Sequence, residues 1–213
     1  KLKGSFLSQM DIEVLKHCNH VNYNIMSDRI EAGTFLCIAA MNHSNIIVKN
    51  IDEDHIIPII DKLEEAGCEL QIEDRQIQIK APKKLKSVNI KTMPYPGFPT
   101  DMQSIFATLL TTAKGSSIIV ENIFENRYKY TQELIRMGAK ISVEGKTAII
   151  KGVKKLYGAN VKATDLRGGA ALVMAATTAK GITKVENIDY ILRGYERFDK
   201  KLEKLGVKIQ LTI

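Results

Sequence analysis

The chain repeats one unit three times, and this constrains its fold more than any single motif does. SDRIEAGTFLCIAAMNHSNIIVKNI from Ser27, TDMQSIFATLLTTAKGSSIIVENI from Thr100 and TDLRGGAALVMAATTAKGITKVENI from Thr164 share one order. Each has a hydroxyl residue and an Asp, then a small-residue apolar run, a polar turn, a β-branched run and Asn-Ile, with the shared Asn at Asn50, Asn122 and Asn187. KLEEAGCEL, ELIRMGAKI and KLEKLGVKI form a second anchor, with glycines at Gly67, Gly138 and Gly206, roughly 70 residues apart. A period of this kind marks a supersecondary unit that buries its apolar face against copies of itself.

Within each unit the first helix (FLCIAAM, IFATLLTTA, ALVMAATTA) is apolar nearly all round and is expected to be buried on all sides. The β-branched run that follows reads as a strand, and the next helix is amphipathic and ends at a glycine suited to a left-handed C-cap. CELQIEDRQIQIK and KISVEGKTAIIK alternate about turns at Glu73–Arg75 and Glu144–Lys146, which predicts two hairpins. SVNIK and ANVKA add a short strand leading into the next unit. The fold class is α/β: three pseudo-symmetric units with buried helices inside and sheets outside. The third unit stops at VKIQLTI, an expected open strand at Val207–Ile213, and the first 26 residues resemble the tail of an earlier unit. Both ends suggest a piece of a longer repeat protein.

Composition narrows the partners. The 213 residues carry a net charge of +7, which favours a phosphorylated small molecule or nucleic acid. No apolar stretch approaches the roughly 18 residues needed to span a bilayer. Cys18, Cys37 and Cys68 are odd in number and irregularly spaced, so no disulfide framework is expected and a reducing cytosol fits better. HCNH at His17–His20 supplies two histidines and a cysteine, short of a metal site, and no metal or cofactor is expected. KAPKKLK and KGVKKLYG contain one aromatic, Tyr157, which gives little support to a stacking platform for nucleic acid.

The helix starts carry the chemistry. Thr100 and Gln103 have the spacing of a capping box, which leaves Asp101 without a capping role. Arg29 and Arg167 lie in first helical turns, where a cation costs roughly 0.3–1 kcal/mol, and Gly168 and Gly169 follow Arg167. Two readings remain open. Either this helix start holds an anion such as phosphate, or Arg167 pairs with a nearby carboxylate and the glycines permit tight packing. NIFENR and ILRGYER each deliver an arginine before the second helix of their unit, so Arg127, Arg167 and Arg193 are expected on one face beside Asp101. A basic pocket with one carboxylate suits a phosphorylated substrate that must lose a proton.

PTDMQ, NIFENR, ATDLRGGAALV, LRGYER and SDRIEAGTF together resemble the UDP-N-acetylglucosamine enolpyruvyl transferase (1-carboxyvinyltransferase) family, in its order and spacing from about Ser27 to Gly206. The resemblance implies transfer of the enolpyruvyl group of phosphoenolpyruvate to the 3-hydroxyl of UDP-N-acetylglucosamine with release of phosphate. That reaction is the first committed step of peptidoglycan synthesis in the bacterial cytoplasm. It implies an inside-out α/β barrel of three repeats, at about 27–99, 100–163 and 164–213, in a C-terminal domain over residues 27–213. Residues 1–26 would be the tail of the N-terminal domain and the crossover, lacking the glycines usual before DRIE.

By its match to PTDMQ, Asp101 resembles the carboxylate that contacts the 3-hydroxyl and takes its proton. Ile123 matches a position whose backbone meets the UDP-sugar. Arg127, Arg167 and Arg193 match cleft arginines, Arg193 linked to phosphoenolpyruvate and Arg167 paired with Asp165. The implied partners are the two substrates and the N-terminal domain of the same enzyme, with neither nucleic acid nor membrane. The family's reactive cysteine, a lysine and an asparagine fall outside this chain, so the chain alone is expected to be inactive. A non-catalytic paralogue and a basic nucleic-acid-binding repeat module are the alternatives.

Overall fold

The structure, a computed structural model, describes residues 2–4, 10–12 and 22–212, so the HCNH stretch and Cys18 lie outside the described residues. Strands β1 (Leu2–Gly4) and β2 (Met10–Ile12) pair antiparallel. The first unit runs α1 (Arg29–Met41), β3 (Asn45–Lys49), α2 (Ile57–Glu65), β4 (Glu69–Glu73) and β5 (Gln76–Lys80), and β6 (Ile90–Lys91) leads out of it. The second repeats that order with α3 (Gln103–Leu110), β7 (Ser116–Val120), α4 (Tyr130–Arg136), β8 (Lys140–Glu144) and β9 (Thr147–Lys151), followed by β10 (Asn160–Lys162). The third has α5 (Leu166–Thr178), β11 (Lys184–Glu186), the short α6 (Asp189–Leu192) and α7 (Phe198–Lys204).

The apolar helices α1, α3 and α5 pack on one another in the middle. Every residue of α3 is buried, as a helix without a polar face requires. Leu36, Phe106 and Leu172 are fully buried at their contacts, each side chain contributing roughly 1.5–3 kcal/mol of transfer free energy. The sheets lie outside. Strands β5 and β9 bury alternate residues (Ile77 and Ile79; Ala148 and Ile150) and turn the others to solvent. The sheet orders are β3-β5-β4, β6-β7-β9-β8 and β10-β11, so these sheets stay separate among the described residues. Parallel pairing of β6 with β7 and of β10 with β11 stitches the exit strand of one unit to the sheet of the next.

Local chemistry accounts for the turns. Glu73 pairs with Gln76 and Glu144 with Thr147, leaving two-residue loops. Asp74 and Arg75 are both left-handed, with φ of 46° and 59°, the backbone that a tight right-twisted hairpin demands. Gly67, Gly138 and Gly206 end the amphipathic helices at φ of 97°, 93° and 93°.

Two expectations fail. Residues 207–212 form no strand, because the third unit offers no antiparallel neighbour for them among the described residues. They border instead an apolar groove of about 1070 Å³ that also takes in Val173, Ile182 and Val185. Second, Thr100 and Gln103 form no capping box. Thr100–Met102 is a 3-10 turn, its Thr100 hydroxyl donates to Glu121 Oε2 at 2.9 Å, and the Gln103 side chain accepts from the Tyr130 hydroxyl at 3.0 Å.

Candidate active site

The three units begin their central helices with the same residue and use it differently. Asp28 caps α1, its Oδ1 accepting from Ile30 and Glu31 N–H at 2.7 and 3.2 Å. Asp165 caps α5, accepting from Gly168 N–H at 2.8 Å, with the Thr164 hydroxyl on its other oxygen at 3.1 Å. In the second unit the 3-10 turn sets Asp101 ahead of α3, and its carboxylate caps nothing. It lies between two guanidinium groups: Oδ1 is 2.7 Å from Arg127 Nη2 and Oδ2 is 3.1 Å from Arg167 Nη2. Arg167 therefore pairs with Asp101, not with Asp165, whose oxygens accept from the Gly168 N–H and the Thr164 hydroxyl.

At the start of α5 the Gly168 N–H is occupied by the Asp165 carboxylate. A Cβ on Gly169 would stand 2.7 Å from Ile191 Cγ1, and one on Gly168 would stand 3.1 Å from Tyr130 Cβ. The two glycines let α4 and α6 approach α5 closely.

Both arginines are held from behind. Arg127 Cζ sits 4.8 Å from the Phe124 ring centre and Arg167 Cζ 5.3 Å from that of Tyr195, a cation–π arrangement that restrains the guanidinium without consuming its donors. The Tyr195 hydroxyl is 2.9 Å from Thr34 Oγ1, which itself donates to Ile30 O, so α1 of the first unit braces the arginine of the third. Burial lowers the proton affinity of Arg167, but neighbouring Tyr195 and Asp101 outweigh it and the net pKa is raised. Its Nε and Nη1 are buried without a hydrogen-bond partner among the described residues.

An open pocket of about 660 Å³ gathers Asp101, Ile123, Arg127, Asp165, Arg167 and Arg193 in its wall. Arg193 lies at the end of α6, exposed, 5.5 Å above the Tyr190 ring and without an ion pair among the described residues. The N–H of Ile123 is held by Glu121 Oε1 at 2.8 Å, which leaves its carbonyl as the backbone group free to meet a ligand. Glu121 and Tyr195 are the residues that sequence reasoning missed. A buried glutamate is unlike its type, but local pattern does not report burial. Among the described residues no group of His, Cys, Asp and Glu is arranged to hold a metal. Cys37 and Cys68 are buried, and burial pushes the Cys68 thiol up to about 11, so neither is poised as a nucleophile.

The pocket thus sets one carboxylate between two arginines in a fold built on an internal repeat. The sequence profile of EPSP synthase (3-phosphoshikimate 1-carboxyvinyltransferase) matches residues 3–202, and the chain belongs to that family. A UDP-N-acetylglucosamine 1-carboxyvinyltransferase of Desulfofundulus thermocisternus is 51% identical over 189 residues, 89% of this chain and 78% of that sequence. UDP-N-acetylglucosamine 1-carboxyvinyltransferase 2 of Carboxydothermus hydrogenoformans is 49% identical over 213 residues, 99% of this chain and 51% of that one. The chain thus spans about half the length of the latter, as it does of the related proteins from Caldanaerobacter subterraneus. Among solved structures, the enolpyruvyl transferase NikO from Streptomyces tendae superposes with a TM-score of 0.79 at 26% identity, over 87% of this chain and 44% of NikO. EPSP synthase from Acinetobacter baumannii shares the fold, with a TM-score of 0.75 at 16% identity over 89% of this chain and 48% of that one.

Proposed function

We propose that the protein to which these residues belong transfers the enolpyruvyl group of phosphoenolpyruvate to the 3-hydroxyl of UDP-N-acetylglucosamine, the first committed step of peptidoglycan synthesis, in the bacterial cytoplasm. The observation that carries this reading is the withdrawal of Asp101 from helix capping into a pocket between Arg127 and Arg167. A new bond joins the sugar oxygen to the central carbon of phosphoenolpyruvate, and the bond from that carbon to the phosphate oxygen breaks. Asp101 takes the hydroxyl proton, and the arginines neutralise the phosphate as it leaves. Arg193, exposed on the rim without an ion pair among the described residues, is placed to draw in the smaller anion. The pocket is open, and the rest of the longer protein supplies the opposing wall that excludes water.

The test is phosphate release by the full-length protein given phosphoenolpyruvate with either UDP-N-acetylglucosamine or shikimate 3-phosphate. Release with the sugar nucleotide alone is expected. Release with shikimate 3-phosphate instead, or with neither, would overturn the reading.

A further inference from the structure

Glu121 follows β7 and is 1% exposed, yet among the described residues it makes no ion pair. Four donors converge on its carboxylate. Oε1 accepts from the Thr92 hydroxyl at 2.8 Å and from the N–H groups of Ile123 and Phe124 at 2.8 and 3.1 Å, and Oε2 accepts from the Thr100 hydroxyl at 2.9 Å. Three of the four donors thus fall on Oε1 and one on Oε2. Thr92 in turn accepts from Asn122 N–H at 2.8 Å, extending the hold along the loop.

The Glu121 N–H donates to Lys146 O in the turn of the β8–β9 hairpin. Burying a charge there is unfavourable unless its hydrogen bonds are complete. The donors that complete them belong to two segments of the pocket. Thr100 precedes Asp101 in the 3-10 turn, and Ile123 and Phe124 open the loop that ends in Arg127.

We propose that Glu121 is a positioning residue: it fixes the turn carrying Asp101 against the Ile123–Arg127 loop, so that proton acceptor and sugar-binding backbone keep one spacing. The proposal rests on the enolpyruvyl-transfer reading for its kinetic consequences, but not for its geometric ones. Its two arms separate by oxygen atom. Thr100→Val cuts only the Oε2 arm. Glu121→Gln keeps one accepting oxygen, which the two backbone N–H groups orient toward themselves, and turns an NH₂ toward Thr100. Glu121→Ile removes both arms.

In the full-length protein, Thr100→Val and Glu121→Gln are expected to lower kcat about tenfold with the KM for UDP-N-acetylglucosamine changed less than about threefold, since misplacement of one group by about 1 Å costs up to about 100-fold. Glu121→Ile should lower kcat by about 100-fold and also raise that KM about tenfold, with the KM for phosphoenolpyruvate unmoved in all three. The Ile123 and Phe124 amides should exchange at least about tenfold faster in Glu121→Ile while the β9 amides keep their protection. Unchanged exchange at those two amides overturns the proposal, as does an equal rise of both KM values. A wild-type protein that releases no phosphate would sink the functional reading alone. The exchange comparison still decides Glu121, and Glu121→Ala, which also removes both arms, supplies it if the isoleucine variant does not fold.

Discussion

Asp28, Asp101 and Asp165 stand at corresponding helix starts, and their partners separate structure from chemistry. Two of them satisfy backbone N–H groups and the third meets two arginines. Four arginines lie over aromatic rings, and three of these, Arg127, Arg167 and Arg193, line the pocket. Only Arg193 of the three lacks the Asp101 carboxylate, so its charge is fully available to an incoming anion. In the full-length protein Arg193→Ala should raise the KM for phosphoenolpyruvate about tenfold or more and that for UDP-N-acetylglucosamine much less, and Lys should rescue only in part, because a point charge does not reproduce a two-pronged contact. Equal rises in both KM values would reduce Arg193 to a structural role.

At the scale of elements, the difference lies in how each central helix begins. A cap made by Asp costs about 0.5–2 kcal/mol when it is truncated. Asp28→Ala and Asp165→Ala should each lose stability in that range by chemical denaturation. Losses well below about 0.5 kcal/mol at both would contradict the assignment of caps. What was legible in the sequence at this scale was local. The hairpin loops at Asp74–Arg75 and Gly145 and the C-cap glycines follow from turn chemistry a few residues long. The Thr100 capping box failed because Glu121, distant in sequence, takes the Thr100 hydroxyl. The strand expected from Val207 failed for a non-local reason too, since alternation makes a strand only where a neighbour accepts its hydrogen bonds. The shared asparagines diverge only in part: Asn50 and Asn187 are left-handed at φ of 59° and 60°, and Asn122 and Asn187 both tie their side chains to a carbonyl after the exit strand, Thr92 O at 3.2 Å and Ala163 O at 3.5 Å.

The whole molecule uses pseudo-symmetry to build an asymmetric site. The second unit supplies Asp101, Ile123 and Arg127, the third supplies Arg167 and Arg193, and the first braces Arg167 through Thr34 and Tyr195. The arginine convergence was foreseeable, because repeats place equivalent loops at one end. The brace was not, because it joins residues 161 positions apart. The central claim is that one of three equivalent aspartates has been released from capping to take a proton. The most direct measurement is kcat of Asp101→Asn in the full-length protein, with UDP-N-acetylglucosamine affinity measured alongside. Asn keeps the shape but cannot accept the proton, so kcat should fall roughly 10²–10⁴-fold while the affinity changes little. A kcat equal to that of the wild type would contradict the account.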